Sequence, residues 1–157
     1  MLLNKLKDMG NALIALENDM WAFFSISDDL FCAAQKDGKF LRVNPAWTRC
    51  LGWTEEEMTG RNWIEFLHPD DVERTLAEAE AMLERSAKGF ENRYRHKDGT
   101  YRNLWWTAYK WKEQGVTYAV ARDVTNKREA ESLLKELRHD RDALNGKTDK
   151  IIELLRA

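Results

Sequence analysis

The chain has 157 residues, 43% of them hydrophobic, which suits one core of ordinary domain size, roughly 100–150 residues. Its 25 basic and 27 acidic residues leave a net charge of −2 and lie along the whole length, so no basic face is laid out for a phosphate backbone and no direct nucleic-acid partner is expected. Cys32 and Cys50 are too few for a disulfide framework or a metal site, and no apolar run approaches the roughly 18 residues of a membrane span, which together fit a reducing, cytoplasmic setting.

At the start, Leu2, Leu6, Met9, Leu13, Leu16, Met20 and Phe23 recur four and three apart, the heptad spacing of a helix with one apolar seam. This predicts an amphipathic helix over residues 1–24. Its seam needs a cover, either its own domain or a second copy, in which case Leu6, Met9, Leu13, Leu16 and Met20 make the dimer contact. Gly10 weakens the helix by about 1 kcal/mol relative to alanine.

Over residues 25–125 the period changes. Asp37-Gly38 and Asp98-Gly99 each stand where one apolar-rich run gives way to another, and Asp-Gly is a strong hairpin signal because glycine takes the positive φ of a tight turn. The expected hairpins pair Leu30–Ala34 with Phe40–Asn44 and Phe90–His96 with Thr100–Lys112. A last strand, Val116–Asp123, follows the Glu113-Gln114-Gly115 turn. The sum is five short antiparallel strands.

Helices interrupt them. Asn44-Pro45 reads as N-cap and first helical residue, with Gly52 as the stop. Thr54 and Glu57 have capping-box spacing, and Gly60 ends that helix. The stretch WIEFLHPDD, Trp63 to Asp71, gathers a histidine and two acids as an active site would. Yet Pro69 suits a first turn, His68 the N-cap, and Asp70 and Asp71 the positive end of the helix dipole. Val72, Leu76, Ala79 and Leu83 follow on one face, with Gly89 just beyond the end. The other histidines, His96 and His139, lie on a turn and a distant helix. The helix start therefore outweighs the rival reading, a small-molecule enzyme using His68 and Asp71.

After Asp123 the helical period returns. Thr125 is placed to cap a helix over residues 126–157 in which Ala130, Leu133, Leu137, Leu144, Ile151 and Leu154 keep heptad phase, while Asp140 and Lys147 weaken the seam. Asn145-Gly146 could break it. Gly146-Lys147-Thr148 lacks the first glycine of a phosphate-binding loop, position 141 being arginine, and Leu137–Arg141 lacks the His-Glu-x-x-x-Pro order of a phosphoacceptor helix.

Over residues 21–128 the chain resembles the PAS sensor domains. The resemblance rests on Asp28-Asp29-Leu30-Phe31, on GKFLRVNPAW from Gly38 to Trp47, on LGWTEEEMTG from Leu51 to Gly60, and on the His68-Pro69-Asp70-Asp71 helix start. Arg95-His96-Lys97-Asp98-Gly99-Thr100 and the closing Asp123-Val124-Thr125 complete it. It implies an α+β fold, a five-stranded antiparallel sheet with helices over one face, flanked here by the N- and C-terminal helices. It also implies a sensing or association role for the core, with Asp123 and Thr125 coupling it to the C-terminal helix. In the flavin-binding LOV branch the reactive cysteine would fall at Trp63, so a flavin adduct is not expected; the long helix carries no histidine in its body, so haem is not expected either.

Seven tryptophans remain to be placed. They either fill the core or form a box for a small apolar or aromatic ligand, with Trp47, Trp63, Phe66, Tyr94, Trp105 and Thr107 as cavity candidates. Trp105 and Trp111 point to one face of their strand and Trp106 to the other, and periodicity alone does not say which face is the core. The chain is thus read as a non-enzymatic sensory domain, a homodimer through Leu133, Leu137 and Leu144 as well as the N-terminal seam. Its output is a kinase, cyclase or regulator. The alternative is a ligand-free dimerisation or docking module with a tryptophan-filled core.

Overall fold

The computed structural model describes residues 1–81, 87–111 and 113–156. Its elements run α1 (Leu2–Ile26), β1 (Leu30–Gln35), β2 (Phe40–Val43), α2 (Ala46–Leu51), α3 (Glu55–Met58), α4 (Val72–Ala81), β3 (Ala87–Arg95), β4 (Tyr101–Trp111), β5 (Val116–Asp123) and α5 (Thr125–Arg156). Two units divide the chain, Met1–Asp123 and Val124–Ala157. No helix among the described residues is long and apolar enough to cross a membrane.

The five strands form one antiparallel sheet in the order β2-β1-β5-β4-β3. Both Asp-Gly turns sit where expected, Gly38 and Gly99 taking φ of 86° and 93°. The two edges are guarded. Phe40 N–H donates to the Arg61 carbonyl at 3.0 Å on the β2 side, and His68 N–H donates to the Arg93 carbonyl at 2.9 Å on the β3 side, so less open ladder is offered to other chains.

Gly52 closes α2 in the left-handed conformation, and Thr54 with Glu57 forms the capping box of α3. A second box, Asn62 with Glu65, opens an unforeseen 3-10 turn at Trp63–Phe66. His68 caps the next turn as expected, its Nδ1 accepting from Asp70 N–H at 3.2 Å, although Pro69–Asp71 is itself 3-10 before α4 begins.

Four expectations need correction. Asn44 does not cap α2. Its Oδ1 accepts from Phe31 N–H, while its Nδ2 donates to the carbonyls of Phe24 and Asp29, all at 2.9 Å. A short polar side chain does more there by serving three backbone groups between α1 and β1 than by serving one helix end. Gly89 does not stop α4; it lies inside β3 at φ 78°, where the register against β4 shifts between Lys88 and Phe90, so it is a bulge glycine. Asn145-Gly146 does not break α5, whose last turns run through both residues. Thr125 is the first residue of that helix rather than its cap. The expectations for Leu83 and Lys112 lie outside the described residues.

The core lies between the inner sheet face and α2–α4. Trp47 is 0% exposed at its centre, its ring 5.3 Å from Phe40, 5.6 Å from Tyr94 and 6.0 Å from Trp106. The indole Nε1–H donates to the Phe31 carbonyl at 2.9 Å, so the one polar atom of the buried ring is satisfied.

Candidate functional site

The pleat decides which side chains reach the inner face. Along β4, Leu104, Trp106 and Ala108 are buried and Trp105, Thr107 and Tyr109 are not. Along β1 the buried set is Leu30, Cys32 and Ala34. Three alanines of the sheet, Ala34, Ala108 and Ala119, line the space under α4, where their small side chains leave room. The result is a cavity of about 340 Å³.

All five strands contribute to its wall, through Cys32, Phe40, Phe90, Asn92, Tyr94, Trp106 and Ala119 among others, while α4 lends Thr75, Leu76 and Ala79. Trp63 and Ile64 line it from the 3-10 turn. The wall is mostly apolar with a few polar atoms, the usual make-up of a small-molecule site. Asn92 is held firmly: Oδ1 accepts from Trp106 Nε1–H at 2.6 Å, and Nδ2 donates to Thr75 Oγ1 at 3.3 Å. Thr75 in turn donates to the Asp71 carbonyl at 2.6 Å. Burial pushes the Cys32 thiol up to about 12, and burial, then the neighbouring Cys32, raises the Tyr94 hydroxyl well above its ordinary value. The buried part of the wall is therefore uncharged at physiological pH, the charges of Lys36, Asp37, Glu78, Glu80 and Lys110 lying at its more exposed rim.

Of the six cavity candidates, Trp63 and Tyr94 line this space. Trp47 and Phe66 are wholly buried and pack in the adjoining core. Trp105 and Thr107 stand on the opposite side of the sheet, the reverse of what a shared site would need, because Leu104 and Trp106 take the inward parity. Thr107 lines a separate outer-face groove of about 780 Å³ between the sheet and α1, with Met20, Trp21, Phe24, Tyr109 and Tyr118. Asn92, Thr75 and Trp106 were not anticipated as site residues.

The dimer candidates are all on the surface. Leu6, Met9, Leu13, Leu16 and Met20 of α1 and Leu133, Leu137 and Leu144 of α5 are each more than half exposed. Asp123 ends β5, with its carboxylate Oδ2 3.5 Å from Cys50 Sγ.

The rival site is engaged otherwise. Asp71 is buried and accepts from Arg93 N–H and Nη2 at 2.7 Å, from Arg93 Nε at 3.0 Å and from Arg74 Nε at 3.3 Å. The Arg93 guanidinium holds its carboxyl far below the usual range, which suits an anchor rather than a proton acceptor. The His68 ring lies 4.5 Å from Tyr101. The replacement His68→Asn is expected to keep the cap and lose this ring contact, lowering stability by about 0.5–1.5 kcal/mol. Thermal melting checks it; a larger loss would give the imidazole a further task.

A family model for the PAS fold matches residues 40–121. A curated relative, basic helix-loop-helix ARNT-like protein 2 of Gallus gallus, is 34% identical over 70 residues, 43% of this chain and 11% of that protein, so the chain spans only a small part of it. Among solved structures, a domain of a sensory box sensor histidine kinase/response regulator from Geobacter sulfurreducens is 21% identical. It has a TM-score of 0.61 and covers 71% of this chain and 96% of that one. The PAS domain of a Colwellia psychrerythraea protein is 19% identical with a TM-score of 0.63, over 71% and 98% of the two chains. With the antiparallel sheet, its inner cavity and a family match over more than half of its length, the chain belongs to the PAS fold family.

Proposed function

We propose that this PAS domain is a cytoplasmic sensory and regulatory module in which a small, largely apolar molecule occupies the inner cavity and sets the state of a dimer built on α1 and α5. The observation that carries it is the cavity of about 340 Å³, to which every strand of the sheet contributes. Two of its wall residues, Thr117 and Ala119, belong to β5, which ends at Asp123, and α5 begins two residues later at Thr125. A ligand that changes the twist or register of β5 therefore acts on the strand that leads into the helix, with Asp123 and Thr125 as the coupling residues. The α5 seam is weakened by Asp140 and Lys147, and a marginal seam shifts between registers more readily than a well-locked one.

Association is supported by the exposed leucines and methionines of both helices, which a monomer leaves in water. The output partner is a kinase, cyclase or transcription regulator, and the chain itself carries no catalytic step. Native mass spectrometry of the purified protein tests the proposal. The expected spectrum shows a dimer with the added mass of a small molecule. A dimer of bare chain mass, unchanged when lysate metabolites are added back, would favour the ligand-free docking module instead; a monomer at micromolar concentration would overturn the dimeric output.

A further inference from the structure

Among the buried residues of the cavity wall, one side-chain oxygen has no hydrogen-bond partner among the described residues. Asn92 and Thr75 are hydrogen-bonded to Trp106 and Asp71, but the Tyr94 hydroxyl, on a residue only 4% exposed, meets no acceptor among the described residues. Tyr94 lies in the wall of the cavity, its ring wedged at 5.6 Å from Trp47 and 5.3 Å from Trp106, so it has little freedom to swing away. Ser25 Oγ is the one fully enclosed side-chain oxygen or nitrogen without a partner among the described residues, so the Tyr94 oxygen is not sealed off but reaches open space, where an occupant of the cavity can pair with it.

Resting on the cavity reading above, we infer that the ligand is a neutral, mostly apolar ring compound carrying one acceptor atom, which accepts a hydrogen bond from the Tyr94 hydroxyl. Its size follows from the cavity: about 340 Å³ is room for roughly ten non-hydrogen atoms if each takes a volume near that of a water molecule, ~30 Å³. Neutrality follows from the wall. The lysines and acids that touch the cavity are all partly or wholly exposed, so nothing buried offers a counter-charge, and an unpaired charge is strongly disfavoured there. Binding is non-covalent, because the Cys32 thiol beside the ligand, held up to about 12 by burial, stays protonated and is a poor nucleophile.

The probes are naphthalene, quinoline and indole, fused two-ring compounds of matching size that offer respectively no polar atom, a ring acceptor and a donor. Each is titrated into the isotope-labelled full chain and followed by NMR, including the Trp106 indole signal, at neutral pH where quinoline is uncharged. Quinoline is expected to bind roughly three- to tenfold more tightly than naphthalene, the contribution of one hydrogen bond. Indole should gain no such advantage. In Tyr94→Phe, which keeps the ring, quinoline should fall to the naphthalene level while naphthalene stays within about twofold of wild type. Equal affinities for quinoline and naphthalene, or a quinoline advantage that survives Tyr94→Phe, would overturn the acceptor pairing and leave the cavity as a site. If no probe moves the signals of cavity residues, the ligand reading of the cavity fails as well. The three-probe comparison in the wild type decides the matter even if the variant does not fold.

Discussion

Replacing Asp71 by alanine is expected to destabilise the Met1–Asp123 unit by about 2–3 kcal/mol, below the roughly 3–5 kcal/mol of a fully buried ion pair because the Arg93 side chain is 37% exposed and solvent screens it. The carboxylate is buried at the start of α4 and accepts from the Arg93 backbone N–H, from both arms of the Arg93 guanidinium and from Arg74, so its loss leaves a partly buried N–H without that acceptor and the guanidinium with the more distant Asp70 carboxylate, 3.9 Å away. Urea unfolding followed by tryptophan fluorescence measures it, with an unchanged slope certifying that stability rather than compactness has moved. The pH dependence has a definite sign. The folded carboxyl titrates below its unfolded value, so its contribution is complete above the ordinary aspartate range and is lost as the pH falls below about 4. The gap between wild type and Asp71→Ala should therefore be full at pH 6 and narrow steadily below pH 4. A gap independent of pH would assign the loss to packing.

The same residue shows what the sequence could and could not disclose. That Asp71 belongs to a helix start follows from neighbours: proline, a capping histidine and a dipole are local matters. That its partner is Arg93, 22 residues on, is not local, and nothing in the spacing of the two predicts it. Turns and caps were legible for the same reason, since Gly38, Gly52, Thr54 and Gly99 act within four residues. Asn44 escapes a local reading because its side chain serves backbone groups 13 to 20 residues away, and Gly89 because a glycine after a helical run is equally a stop or a bulge. The strand parity of β4 was undecidable for a different reason. Its outward set, Trp105, Thr107 and Tyr109, holds two aromatic rings against one in the inward set, and Thr107 and Tyr109 line the groove under α1. An apolar outer face erases the alternation that normally marks the core. Thus the fold was readable, while the membership of the cavity was only half so.

Trp47 fills the core beside the cavity, whereas Trp63 and Trp106 stand in the cavity wall. This makes Trp47→Ala the second large effect, an expected loss of about 3–5 kcal/mol. The ring is fully buried among Phe40, Tyr94 and Trp106, and its truncation removes aromatic contacts on three sides together with the hydrogen bond to the Phe31 carbonyl. Trp47→Phe keeps a ring and loses the indole N–H, so its expected loss is smaller, about 1–2 kcal/mol. The two variants also separate packing from ligand recognition. Three of the rings Trp47 supports, Phe40, Tyr94 and Trp106, are themselves cavity wall, so a void behind them lets them relax backwards and blurs the position of the Tyr94 hydroxyl. Quinoline should accordingly lose its advantage over naphthalene in Trp47→Ala while retaining it in Trp47→Phe, although Trp47 touches neither probe. If instead Trp47→Ala unfolds at the wild-type urea midpoint, the aromatic cluster is not what holds the cavity open. The space would then depend on the alanines of the sheet alone.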